Sequence, residues 1–140
     1  MQSYALMLQT DIDDKELTES VLLGIDLPLA VKFLENVDEL PAFTDEHGKP
    51  VLILINENTK CTGIEVVKQL KNDPSYNYIP LIILKENTLA KYVSDCYQAG
   101  ANSVITKPSS VELTQKKIEA FFTYWFTVAD LPQQTEVVSR

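Results

Sequence analysis

Apolar and polar positions fall along the chain in blocks that predict five strands alternating with five helices. The clearest block is Val51-Leu52-Ile53-Leu54-Ile55-Asn56. Pro50 opens it, five apolar residues follow without a break, and a polar amide ends it. A run with no polar alternation predicts a strand buried on both faces, as at the centre of a parallel sheet. In open α/β sheets, binding and chemistry gather just beyond the carboxyl ends of such strands. Asn56 is therefore the position to interrogate.

The remaining blocks follow in order. A first strand over 4–8 runs into Gln9-Thr10-Asp11-Ile12-Asp13-Asp14. A helix enters at Asp11 or Asp13, where Asp13 and Glu16 have capping-box spacing, and runs to about Leu23 with Leu17, Val21 and Leu22 inward and Gly24 at its end. The three aspartates suit the positive end of a helix without any metal. Pro28 sets off a second strand over 29–34. A short helix is predicted over 36–43, with Pro41 tolerable only in its first turn, then a polar loop over 44–49 that leaves His47 solvated. Ile64, Val67 and Leu70 stand at helical spacing before Asp73-Pro74. A fourth strand covers 80–84, and Leu89, Val93, Cys96 and Tyr97 form one helical face closed by Gly100. The fifth strand is 101–106. The last helix starts near Val111, carries Ile118, Phe121, Phe122 and Trp125 on one stripe, and ends near Ala129. Two of those three aromatics suffice for packing on the sheet. The pattern is α/β: a doubly wound, five-stranded parallel sheet with five helices in flavodoxin-like order, one domain over 1–132 with a frayed tail over 133–140.

Composition narrows the function classes. With 12 basic and 20 acidic residues in 140, the net charge is −8, which opposes binding to a nucleic-acid backbone. No apolar run approaches the ~18 residues that span a bilayer, and the start, MQSYALMLQTDIDD, has no basic region before an apolar one, so no membrane partner and a cytoplasmic location are expected. Cys61 and Cys96 have neither metal-ligand spacing nor a disulfide-scaffold pattern and are read as reduced thiols.

The run Ala99-Gly100-Ala101-Asn102-Ser103-Val104-Ile105-Thr106-Lys107-Pro108, together with Leu70-Lys71-Asn72-Asp73-Pro74 and Ile79-Pro80, resembles the response-regulator receiver domains of two-component signalling. The ending Tyr124-Trp125-Phe126 with Leu131-Pro132 is similar to that of stand-alone receivers related to phytochrome-associated response regulators. The resemblance covers about residues 4–132. It implies an aspartate at the end of the third strand that accepts phosphate, and Mg²⁺ held by that aspartate, an acidic pair after the first strand and a loop carbonyl. It further implies a lysine before a proline, usually through a cis bond, and a Ser/Thr and an aromatic that relay the change to the fourth and fifth helices.

Set on those positions, this chain departs nearly everywhere. Lys107 and Pro108 are retained. Asn56 stands at the phosphoacceptor position, and an amide cannot act as the carboxylate nucleophile. Gln9 and Thr10 stand at the acidic pair, so a hard Mg²⁺ ion loses its anchors; only Asp11 is near enough to substitute in part. Lys85 and Val104 occupy the two switch positions, and a second ammonium beside Lys107 makes the pocket cationic. Thr59-Lys60 replaces the customary Met-Pro of the loop.

These residues lead to the expectation of a pseudo-receiver: a non-enzymatic, phosphorylation-independent signalling module with no metal, no cofactor and no catalytic residue. Lys85 or Lys107 is expected to fill the metal position, bonded to Asn56. The partner is expected to be a protein, such as a histidine kinase or another signalling protein, met through a face including Lys91, Tyr92, Asp95 and Trp125, with leftover apolar surface near the C-terminus favouring a homodimer. The alternatives are a working phosphorelay receiver using a non-standard acid (Asp11, Asp13 or Glu57) and an anion or small-ligand sensor built on the two lysines with Asn56, Gln9, Thr10 and Thr106. The sensor alternative has no glycine-rich phosphate loop behind it.

Overall fold

Five strands pair side by side: β1 (Tyr4–Leu8), β2 (Ala30–Leu34), β3 (Leu52–Asn56), β4 (Leu81–Glu86) and β5 (Ser103–Lys107). They form one parallel sheet in the order β2-β1-β3-β4-β5, the flavodoxin-like order. The computed structural model describes residues 3–26, 29–58, 62–108 and 110–132. The expectations placed on Pro28, on Thr59-Lys60, on Cys61 and on the tail over 133–140 lie outside the described residues.

The unbroken apolar runs of β1, β3 and β4 are explained by a core on each side of the sheet. Successive side chains of a strand point to opposite faces. Leu6 and Leu8, Ile53 and Ile55, and Leu81 and Ile83 pack on one face with Val66, Val67, Leu70 and Cys96. Ala5 and Met7, Leu52 and Leu54, and Ile82 and Leu84 pack on the other with Ile118, Phe121 and Phe122. The helices that supply these partners are α3 (Gly63–Lys71) and α4 (Ala90–Ala99) on the first face, and α5 (Val111–Thr123) with α1 (Ile12–Leu23) on the second. The same parity carries past the strand ends. Gln9, Asn56 and Lys107 fall toward α1 and α5, while Glu57, Lys85 and Thr106 fall toward α3 and α4.

Helix α1 is entered from Asp11, whose carboxylate accepts from the Asp13 amide at 2.9 Å and whose carbonyl accepts from Lys15 N at 3.0 Å. The second helical segment differs from the expectation. A 3-10 turn (Val37–Glu39) leads into α2 (Leu40–His47), with Pro41 in the first turn and Gly48, at φ 81°, at its end. His47 therefore lies in a helix and not in a solvated loop. It is half-buried, with its ring 4.4 Å from that of Phe43, and this stacking is what extends the helix through a stretch that reads as polar.

Helix α4 is also rotated from the expected face. Cys96 is fully buried and Tyr92 and Ala99 pack on the same core, whereas Leu89 and Tyr97 are exposed. Leu89 sits at the N-cap, outside the helix proper. Tyr97 lies over the sheet edge, its hydroxyl accepting from Val104 N at 3.3 Å.

The 99–108 run has a mechanical explanation. Gly100, at φ +116°, ends α4 with its amide directed to the carbonyls of Cys96 and Tyr97. A side chain there would place its Cβ 2.9 Å from Lys71 Cγ. Asn102 then offers its amide oxygen to Leu81 N at 2.9 Å and to Lys71 Nζ at 3.2 Å, tying the start of β4 to the approach of β5. At the other end of the chain, α5 passes into a π-helical segment (Tyr124–Val128). Phe121, Phe122 and Phe126 are buried, Trp125 is half-buried, and Tyr124 and Val128 are exposed.

Candidate functional site

At the carboxyl edge of the sheet, β1, β3 and β5 bring together Gln9, Asn56 and Lys107, and their side chains form one directed chain of hydrogen bonds. Lys107 Nζ donates to Asn56 Oδ1 at 2.8 Å. Asn56 Nδ2 donates to Gln9 Oε1 at 2.8 Å. Gln9 Oε1 also accepts from the Asp11 amide at 3.0 Å, at the entry to α1. An ammonium has only donors to offer, so it fixes which way the Asn56 amide faces, and Asn56 in turn fixes Gln9.

The remaining amide nitrogen of Gln9 is buried and finds no acceptor among the described residues. Gln9 and Asn56 are 3% and 1% exposed, so these bonds are made out of water. An unmatched donor of this kind costs about 1–3 kcal/mol. The Lys107 bond, being charge-assisted, contributes on the order of 1.5–3 kcal/mol. Around this chain, Thr10 Oγ1 accepts from Asn58 Nδ2 at 2.6 Å, which holds the loop after β3 against the end of β1. Thr106 and Thr88 share a hydroxyl hydrogen bond of 2.5 Å. No peptide bond among the described residues is cis.

Lys85 does not join this chain. It points to the opposite face, where its Nζ lies 3.7 Å from Glu57 Oε2 and 5.5 Å from the centre of the Tyr92 ring. The expected cationic pocket of two ammonium groups is thus corrected: one of the two lies beside a carboxylate on the far side of the sheet. The reason is strand parity, since Lys85 sits one residue beyond Leu84 and so faces away from Asn56.

Glu57 Oε1 also accepts from the Gly63 amide at 2.9 Å and from the Tyr92 hydroxyl. Tyr92, expected on an exposed interaction face, is instead half-buried and turned inward. Burial first, and then the bond to Glu57, push its phenol well above the ordinary tyrosine range. Lys91 and Asp95 remain on the outer side of α4 and pair with each other at 2.9 Å. Val104 packs as a half-buried side chain against the same core as Tyr92.

The sequence reading singled out Asn56, Gln9 and Lys107 from their places at strand ends, and the fold brings these three into contact. It missed the Glu57–Tyr92 pairing. The available signal was parity: residues 53, 55 and 57 share a face with 81, 83 and 85.

Comparison with known proteins agrees with this fold. No family model matches the chain. In sequence it is 24% identical over 134 residues to response regulator Rcp1 of Synechocystis sp., a match covering 91% of each chain. The crystal structure of the Mn(2+)-bound form of Rcp1 superposes with a TM-score of 0.82 at 23% identity, over 94% of this chain and 99% of that one. A response regulator from Hahella chejuensis gives 0.77 at 28% identity, over 90% and 96%. In fold and in sequence the chain is similar to response-regulator receiver domains.

Proposed function

We propose that this chain is a phosphorylation-independent receiver, a non-enzymatic module that binds a protein partner in one fixed state. The observation carrying this reading is the contact between Lys107 and Asn56. A lysine ammonium 2.8 Å from the side chain at the phosphoacceptor position supplies, from within the chain, a positive charge of the kind a metal ion brings. The donor set does not fit Mg²⁺. That ion takes its protein ligands mainly from carboxylates, and the positions in question hold two amides, a hydroxyl and an ammonium. Among the described residues no three His, Cys, Asp or Glu side chains come together as a metal cluster. Asp11 is exposed, and its carboxylate is engaged by the Asp13 amide.

In this reading Lys107 stands in the metal position, no phosphate is transferred to Asn56, and no cofactor is needed. The partner is a protein of a signalling pathway, a histidine kinase being one such class, and it meets the outer side of α4, β5 and α5. Exposed Tyr124 and Val128 beside half-buried Trp125 favour a homodimer, which sedimentation at micromolar concentration would register. The location is cytoplasmic.

The deciding experiment is titration of the chain with Mg²⁺, and with Mg²⁺ plus beryllofluoride, followed by amide NMR and calorimetry. Unchanged resonances for the strand-end residues are expected. Saturable binding at low millimolar Mg²⁺ would overturn the reading.

A further inference from the structure

The second network, around Glu57, takes no part in the Lys107–Asn56–Gln9 chain, and it reaches four separate elements. Glu57 follows β3 directly, with its own amide bonded to Leu84 O at 2.8 Å. Its carboxylate accepts from the first residue of α3, Gly63, at 2.9 Å, and from the Tyr92 hydroxyl on α4, and it lies 3.7 Å from Lys85 on β4. Gly63 is buried, and a Cβ there would lie 3.0 Å from Glu57 Oε1. Lys85 in turn lies over the face of the Tyr92 ring. One carboxylate therefore gathers a helix start, a strand end and a side chain from the first turn of the helix that borders the candidate partner face.

We propose that Glu57, Tyr92 and Lys85 form a fixed strut that sets the position of α4, and so the surface offered to a partner, independently of what occupies the Asn56 side of the sheet. This rests on the phosphorylation-independent reading, and it names the residues through which that single state is held. The two networks sit on opposite faces because Asn56 and Glu57 are consecutive residues of one extended segment. A change at Asn56 therefore has no side-chain route to α4 through Glu57. Val104 and Tyr92 both pack against the same core. Tyr92, Cys96 and Ala99 lie on one helical stripe, so fixing Tyr92 fixes the rotation of the whole helix. The outward ion pair Lys91–Asp95 is largely exposed and contributes little to that rotation.

The test is amide hydrogen exchange on the full chain, comparing wild type with Tyr92→Phe and Glu57→Ala, singly and together, and with Lys107→Met. Tyr92→Phe removes only the hydroxyl. It is expected to raise exchange in α4 roughly tenfold while the slowest β3 amides keep their rates, as in local opening. The Glu57→Ala single variant should do the same, and the double variant should add nothing beyond the larger single effect. Lys107→Met should leave α4 exchange at the wild-type ratio to β3. Should Glu57→Ala fail to fold, Lys85→Met with Tyr92→Phe completes the cycle.

Unchanged α4 exchange in Tyr92→Phe would overturn the strut, as would a rise shared equally by α4 and β3. Treatment of wild type with acetyl phosphate and Mg²⁺ separates the two ideas. A phosphoryl adduct that leaves the α4 amides in place overturns the phosphorylation-independent reading and leaves the strut standing. An adduct that shifts them overturns both.

Discussion

Lys107 Nζ reaches Asn56 Oδ1 at 2.8 Å across the intervening strand β4, so that the side chains of β5 and β3 meet over Leu84. The two residues are 51 positions apart in the chain, and neither strand pairs with the other. Their contact closes the carboxyl edge of the sheet on the α1/α5 side.

Lys107→Met keeps most of the aliphatic stem and removes the ammonium donor from a buried amide carbonyl. The chain is expected to lose about 1–3 kcal/mol of stability. Urea unfolding should show a lower midpoint at an unchanged slope.

Asn56→Asp places a carboxylate at the end of β3, where the present amide oxygen lies 2.8 Å from the Lys107 ammonium. The ion pair offsets most of the cost of burying the charge, so stability is expected to stay within about 2 kcal/mol of the parent. In the proposed reading Gln9 and Thr10 still stand where metal-binding acids would be needed. Mass spectrometry after acetyl phosphate and Mg²⁺ is accordingly expected to show no hydroxylamine-labile phosphoryl group. Its appearance at near-unit yield would mean that the single amide, and not the whole strand-end set, blocks the chemistry.

Gly100→Ala tests the mechanical role of the 99–108 run. The backbone at φ +116° disfavours any Cβ, and this one would press on Lys71 Cγ at 2.9 Å. A loss of about 1–2 kcal/mol is expected, seen as a thermal midpoint lowered by roughly 2–6 °C. The Asn56 region should keep its NMR signature.

Alkaline pH should destabilise the fold through Tyr4. Burial, and secondarily the neighbouring Tyr76, push its phenol up to about 12, and its hydroxyl donates to Gly48 O at 2.6 Å. The folded chain then holds a proton that the unfolded chain releases near pH 10, so stability falls with rising pH over that interval. The contribution is fully present below about pH 10 and is lost as the pH approaches about 12, amounting to roughly 2–3 kcal/mol. Tyr92, shifted in the same direction, adds to the slope. Urea unfolding across this range should show a flatter alkaline limb for Tyr4→Phe than for wild type; parallel limbs would remove Tyr4 from the account.

Much of the architecture was legible from particular residues. The apolar runs at 51–55 and 81–84 announced strands buried on both sides, because only a sheet covered on two faces gives consecutive positions the same need for burial. Gly24, Gly100 and Asp73-Pro74 marked where helices stop. His47 reads as solvated because, besides Phe43 one turn back in the same helix, its ring neighbour is Tyr4, which only the tertiary fold brings near. The face of α4 was misread for a related reason. Leu89, Val93, Cys96 and Tyr97 make as good a stripe on paper as Tyr92, Cys96 and Ala99, and hydrophobicity alone does not tell a tyrosine that is buried from one lying over a sheet edge.

The chain alone fixes the strands and which residues stand at their carboxyl ends, because burial periodicity and turn chemistry act over a few neighbouring residues. It thereby nominated Gln9, Asn56, Lys85 and Lys107. Which lysine meets the Asn56 amide and which turns to Glu57 is settled in three dimensions. That choice depends on the pleat of strands lying side by side and on the loop after β3 closing back onto α3 and α4, so contacts between residues dozens of positions apart settle it.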